Sequence, residues 1–398
     1  MVPDTVDVNE KDKEGMTLLH HAASCSDRHK AQILLKQGAQ LNVRMTSGQT
    51  PLHLAAAAGH SAMCSLLTSG GARLDDVDFD NQTPLFLAAL NGHWNIFMEF
   101  VKMNADVNIC NYTKITPLHL AAQSGHMEMC QLLCSSGANV NSSSSKNKTA
   151  LHFAAEKGYL KICDLLCKSG ADTNLGDASG NTALHLAAEG GYVEMCQLLC
   201  NFSADVNKCN KYGKTPLELA GENQYLEICH FLCQSECNAI SPLLLKFAEK
   251  GFTQVCKILL SAGAEATYSN ESNRQTPLHV AAIQGHVDTC KLLCEVMPDV
   301  DVKDSSQCTA LYLAAEIGHA EVCKVLCEAG ADIDINNSSQ CTALYLAVEK
   351  GHTEVCKVLC EAGADVNMIT GRSNALHLAI YYGSLSIVQL FMQHKADI

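Results

Sequence analysis

Apolar positions in this chain recur in long blocks rather than in one helical or strand period. The block "TPLHLAA" and its relatives begin at Thr17, Thr50, Thr83, Thr116, Thr149, Thr182 and Thr215, each step being 33 residues. The series resumes at Thr276, Thr309 and Thr342 and ends at Asn374 after a step of 32. A weaker copy, "SPLLLKFAEKGF", lies between, with Pro242 in the threonine position. Twelve repeats therefore account for almost all of the 398 residues, and self-similarity at such a period marks a stacked repeat protein. Within a repeat the order is constant. A polar turn such as "DASGNT" (177–182) holds Gly or Asn where the backbone needs positive φ. "TALHLAAEGG" then reads as a short helix, with Thr182 placed to cap it through its hydroxyl. After a glycine break, "YVEMCQLLC" reads as a second helix from its apolar spacing, and "GAD-x-N" closes the repeat with a glycine suited to a left-handed helix end. Neither helix can bury its apolar face alone, so stability has to come from stacked neighbours.

The 33-residue period, the "TPLH-x-A" box, the "GH" break and the "LL-x-x-GAD-x-N" ending resemble the ankyrin repeat family over residues 5 to 398. The resemblance implies an all-α repeat: an ankyrin solenoid of stacked helix-turn-helix units joined by β-hairpin or turn loops. Residues 1–398 are expected to form one such solenoid. Two irregularities qualify it. From Thr215 to Pro242 the step is only 27, so repeat eight lacks its hairpin, and "CNAISPLLLKF" enters the helix directly. Ser241 is expected to cap that helix and Pro242 to open it. A bend there divides the stack into residues 5–235 (repeats one to seven) and 240–398 (repeats eight to twelve). Neither end carries a polar capping repeat, which keeps open the alternative of an ankyrin portion of a larger protein, such as a channel or an enzyme targeting or regulatory subunit. The "EVCKVLCEAGAD" segments at 321–332 and 354–365 are identical and point to an internal duplication.

Composition narrows the function. Net charge is −14 and charged residues make up 18%. A negative surface repels phosphate backbones, so nucleic acid is not expected as a partner and a protein with a basic surface is. No stretch approaches the roughly 18 apolar residues of a membrane span, and the acidic N-terminus is no secretory signal. The expected location is the cytoplasm or nucleus, where the 22 cysteines would stay reduced.

Most of those cysteines form pairs four residues apart on the second helix: Cys130/Cys134, Cys163/Cys167, Cys196/Cys200, Cys229/Cys233, Cys290/Cys294, Cys323/Cys327 and Cys356/Cys360. Such a spacing leaves Cβ atoms ~5–6 Å apart, too far for a disulfide at ~3.5–4.5 Å. Zinc chelation would need two further ligands from the next helix. Other repeats place Val, Ile, Leu or Phe in these positions, so core packing is the expected role. A thiol-based redox or metal-responsive protein is the competing class. Cys110, Cys209, Cys308 and Cys341 fall in or beside turns and are the better candidates for oxidation.

Thirteen of the 17 histidines occupy two repeat positions. His20, His53, His119, His152, His185, His279 and His377 follow the "TPL" or "TAL" box, and the resemblance implies that they bridge backbone groups between repeats. His60, His93, His126, His286, His319 and His352 follow the break glycine. "YGKTP" (212–216) lacks the glycine and strand of a phosphate-binding loop, and no metalloprotease, nucleophile-elbow or kinase motif is present. No enzyme activity and no cofactor are expected.

What remains is surface. The resemblance implies partner binding by turn tips and the first-helix side of a concave face. One position on the first helix carries Glu156, Glu189, Glu222, Glu249, Glu316 and Glu349, a row of like charge partly neutralised by Lys157, Lys250 and Lys350. Phe79, Tyr112 and Tyr212 lie at turn tips, Tyr381 and Tyr382 on the last first helix, and Trp94 on the outer side of its own repeat. The family's turns can also be targets of asparaginyl hydroxylation, at an Asn eight residues after a Leu; Asn141, Asn174, Asn207 and Asn367 fit, after Leu133, Leu166, Leu199 and Leu359. The expected function is a monomeric, non-enzymatic scaffold or adaptor that binds another protein.

Overall fold

The computed structural model describes residues 7–235, 237–238, 240–370, 373–394 and 396. Among the described residues, twenty-four helices, two per repeat, run from Leu18–Ser24 to Leu385–Gln393. The described chain packs as two compact units, residues 1–216 and 217–398. Glu236 and Ala239, between the two expected sub-stacks, lie outside the described residues.

The first helix of each repeat starts where the threonine turns the chain in. In repeat six, Thr182 has extended backbone and the helix Ala183–Glu189 follows; the Thr182 hydroxyl lies 2.8 Å from Nδ1 of His185, and its own N–H donates to that nitrogen. The same box closes around Thr17/His20, Thr50/His53, Thr116/His119, Thr149/His152 and Thr276/His279. Because Nδ1 accepts from a backbone N–H, the ring proton sits on Nε2. That Nε2–H donates to a hairpin carbonyl of the next repeat: His20 to Gln49, His53 to Gln82, His152 to Asn181 and His185 to Lys214 at 3.0–3.3 Å. The implied bridging role holds for these and for His119 and His279, whose Nε2 reaches the Lys148 and Cys308 carbonyls at 3.1 Å, but not for His377, which is exposed and makes no such bond among the described residues.

The histidine after the break glycine faces the other way. Nε2 of His60, His93, His286, His319 and His352 reaches a last-turn carbonyl of the preceding repeat's first helix, at 2.9–3.0 Å. These carbonyls have no partner within their own helix. The ring then lies against the preceding repeat's break glycine: a Cβ on Gly59 would stand 2.6 Å from the His93 ring, at a φ of +78°. Gly-His is thus one joint split between two repeats. Tyr159 and Tyr192 occupy the same position against Gly125 and Gly158.

The core is the row of second-helix positions and the paired alanines of the first helix. Cys130, Cys163, Cys196, Cys229, Cys290, Cys323 and Cys356 are all fully buried, level with Leu133, Leu166 and Leu199. Cys163 Sγ lies 3.8 Å from Met195 Sδ. Burial pushes the thiols of Cys130, Cys196, Cys229, Cys290, Cys323 and Cys356 up to about 12, so they act as small apolar groups. Among the described residues, no group of three or more His, Cys, Asp or Glu converges as metal ligands would.

Two expectations are corrected. The helix of repeat eight spans Ile240–Glu249, so Ser241 and Pro242 are its second and third residues rather than cap and opening residue. Proline is tolerated there because the first-turn N–H groups have no helical acceptor in any case. The Ser241 hydroxyl instead accepts the N–H of Glu265 at 2.9 Å. Cys308 is buried rather than turn-exposed: it packs with Tyr312 and Leu346 in a small cluster that Leu313 and Cys341 flank. Its thiol is pushed up to about 11 by burial first and by Asp304 second. Cys209 is exposed, and Cys110 and Cys341 are half-buried.

Candidate interaction surface

The hairpin tips are built by a repeated Asp or Asn. Asp78 Oδ1 accepts the N–H of Asp80 and of Gln82, folding 78–82 into a tight loop with Asn81 at a φ of +57°. Each tip then bonds its neighbour through the backbone. Phe79 N–H donates to Ser47 C=O at 3.0 Å, Tyr112 N–H to Asp80 C=O at 3.2 Å, and Lys211 N–H to Ser179 C=O at 2.9 Å. This ladder fixes what the tips display. One strand pair is assigned among the described residues, Ile369–Thr370 with Ser373–Asn374; the other loops are turns.

The tip aromatics are the most open large hydrophobic residues among the described residues of the first unit, with Phe79 60%, Tyr112 72% and Tyr212 74% exposed. In the second unit Tyr381 is 82% exposed, and its ring meets that of Tyr382 edge-on at 5.2 Å. Trp94 is half-buried and stacks on Phe97 of its own helix at 5.8 Å.

The glutamate positions divide by environment. In the first unit Glu156 is exposed and paired with Lys148 at 2.6 Å, while Glu189 is exposed with no ion-pair partner among the described residues. In the second unit Glu249 and Glu349 are exposed, and Glu316 is half-buried. Glu222 is half-buried and held by Lys250 at 3.0 Å and Lys246 at 3.8 Å. Its neighbour Glu218 is buried and also pairs with Lys246. Lys246 was not singled out from the sequence, where only its place in the irregular repeat could have marked it. Glu218 occupies the bridging-histidine position, yet Phe247, twenty-nine residues on, lies inside a helix instead of a hairpin. With no hairpin carbonyl to receive an imidazole, the position carries an acceptor matched by a lysine.

A second ladder runs through the closing loops and includes the hydroxylation candidates. Asn141 Oδ1 accepts Asp172 N–H at 2.8 Å while its Nδ2 donates to Gly170 C=O at 3.1 Å. Asn174 does the same with Asp205 N–H and Ser203 C=O, at 2.8 and 3.0 Å. The side chains of Asn141 and Asn174 are thus bound between repeats. Asn207 and Asn367 are half-buried at the same loop position, their N–H groups donating to Asp205 and Asp365.

Paired helices stacked through bridging histidines and hairpin tips define a repeat solenoid. The family model for ankyrin repeats (3 copies) matches in overlapping segments, 2–78, 19–111, 69–144, 85–177, 151–242, 244–337 and 330–398. The chain belongs to the ankyrin repeat family, whose members generally serve as protein–protein interaction modules. No curated protein matches it at a significant level. No described helix is long and apolar enough to cross a membrane.

Proposed function

We propose that the chain is a non-enzymatic scaffold or adaptor that binds a partner protein through its hairpin tips and first-helix side. The observation that carries this reading is the set of open aromatic rings, Phe79, Tyr112 and Tyr212, on tips fixed by a backbone ladder. Rigid, exposed aromatic side chains supply binding area at little entropic cost. The carboxylates of Glu189, Glu249 and Glu349, which make no ion pair among the described residues, on a chain of net charge −14, favour a partner with a basic face. The protein acts as a monomer in the cytoplasm or nucleus, and the halves 5–235 and 240–398 take different partners.

The test is a pull-down from source-cell lysate with wild type beside a variant carrying Lys at positions 156, 189, 316 and 349. A partner held by wild type and lost by the variant supports an acidic groove. One held equally by both moves the site to the tips, and no partner at all contradicts the reading. Asparaginyl hydroxylation at Asn141, Asn174, Asn207 and Asn367 is a proposed modification of the same surface. Peptide mass from oxygenase-containing cells should show one added oxygen, and unmodified peptides would remove it.

A further inference from the structure

Phe79 and Tyr112 hold the same position on the hairpins of repeats three and four, 33 residues apart. Both rings are open, and Asp80 lies between them in the ladder, its C=O accepting the Tyr112 N–H. The Phe79 ring is seated on its inner edge against Gly48, where a Cβ would stand 2.7 Å from Cδ1. Asp80 is exposed, its N–H tied to Asp78, and its carboxylate has no hydrogen-bond or ion-pair partner among the described residues. Arg44, on the preceding repeat's loop, is committed elsewhere, to Val77 C=O at 2.7 Å and Asp76 at 3.5 Å.

The protein's own cations cover other rings. Among the described residues, Lys148 sits over Phe153 at 5.6 Å and Lys250 over Phe252 at 6.0 Å, whereas neither Phe79 nor Tyr112 is covered. Nor do those two rings contact each other. Stacked helices step by ~8–10 Å, and a cation engages a ring within about 6 Å of its centre. Equivalent rings on tips that step by that amount would leave room for one cation between them, and Asp80 is the carboxylate between the two in the ladder.

We propose that Phe79, Asp80 and Tyr112 form a clamp for the guanidinium of an arginine on the partner protein. This rests on the scaffold reading and names the chemistry of one contact within it. A guanidinium is planar, so it stacks on both rings while its N–H fork meets the carboxylate; an ammonium is a point charge and cannot do both. Lys114, exposed on the Tyr112 hairpin, is the like charge that opposes it.

The experiment uses the full chain with fluorescein-labelled hexa-arginine and hexa-lysine peptides in about 0.15 M salt, where diffuse attraction is screened beyond ~8 Å. Wild type should bind the arginine peptide about fivefold tighter than the lysine peptide. Phe79→Ala, Tyr112→Ala and Asp80→Asn should each bring that ratio to about one, Lys114→Ala should strengthen arginine binding, and Leu385→Ala, at an exposed position outside the proposed binding set, should leave the ratio unchanged. All these side chains are exposed, so circular dichroism should be unaltered in every variant. Equal affinity for the two peptides, or a preference that survives Tyr112→Ala, overturns the clamp. Lysate capture is scored separately: a protein held by the chain without any arginine preference keeps the scaffold and removes the clamp. A preference abolished by Tyr112→Ala with no protein captured does the reverse.

Discussion

Residues 1–216 and 217–398 fill one repeat position, three residues after the threonine position, with different chemistry. In the first region it is histidine in five repeats of six, at His20, His53, His119, His152 and His185, with Phe86 in repeat three. In the second it is Glu218, Leu245, His279, Tyr312, Tyr345 and His377 in turn. A histidine there ties its own cap to the next hairpin with one neutral ring. Tyr312 is longer and accepts from the Asn337 side chain at 2.9 Å instead of reaching a backbone carbonyl. Glu218 faces a repeat with no hairpin and takes Lys246. The position follows what the next repeat offers it, so the joint between repeats, not the repeat, is the unit of design.

The largest effect should come from breaking a histidine joint. His152→Ala strands the Thr149 N–H, leaves the Asn181 carbonyl only the Asp177 N–H, and opens a void; it should cost about 3 kcal/mol. Tyr345→Ala, at the equivalent half-buried position, should cost about half as much. Urea unfolding read by hydrogen exchange, segment by segment, compares them; equal costs would erase the distinction. Next, Lys246→Met removes one ion pair from the buried Glu218 and should cost about 2 kcal/mol, reduced from a fully buried pair because the lysine is partly exposed. Adding Glu218→Gln should recover part of that loss. Cys163→Ser buries a hydroxyl in place of a thiol and should cost about 1–2 kcal/mol in the first region. Smallest is Tyr212→Ala, within about 0.5 kcal/mol on stability because the ring packs on little. Thiol counting sharpens the same picture: Cys25 and Cys209, which are exposed, should react in the folded protein. The buried second-helix cysteines should react only after denaturation, and their ready labelling in the native state would revive a redox role.

Much of this was legible in the chain because the repeat reports itself twelve times. Threonine caps, break glycines and buried cysteines stand in fixed positions, and period and substitution pattern reveal their role. What was hidden depends on a neighbour brought close only by stacking. Cys308 looks like a turn residue until Tyr312 and Leu346 close over it. Ser241 looks like a cap until the helix proves to begin at Ile240. Lys157 looks like the partner of Glu156 by sequence, yet Lys148, eight residues back across the cap, makes the bond. The two histidine positions are equally plain in sequence, but only the fold shows that one reaches forward and the other back.

The central claim is that histidine joints hold the first region and thiol-rich packing weighs more in the second, and pH separates them. Burial holds His20, His53, His119, His152 and His185 below the ordinary imidazole value, against His279 alone in the second region among the described residues. Groups so depressed contribute stability present above about pH 6.5 and lost as pH falls below it toward their folded values. Asp301 and Asp334, raised first by burial, work the opposite way and favour the second region in acid. At the alkaline end, seven buried or half-buried thiols of the first region are raised. Eleven thiols and Tyr312 are raised in the shorter second region. Their contribution is full below about pH 8.5 and lost as pH rises through the folded values. The deciding measurement is pulsed hydrogen exchange with mass spectrometry on the full chain, after equilibration at pH 5, 7.5 and 10 in about 2 M urea, near the midpoint expected of a moderately stable domain. Protection should be lost first from residues 1–216 at pH 5 and first from 217–398 at pH 10. Loss from the same region at both extremes would contradict the account.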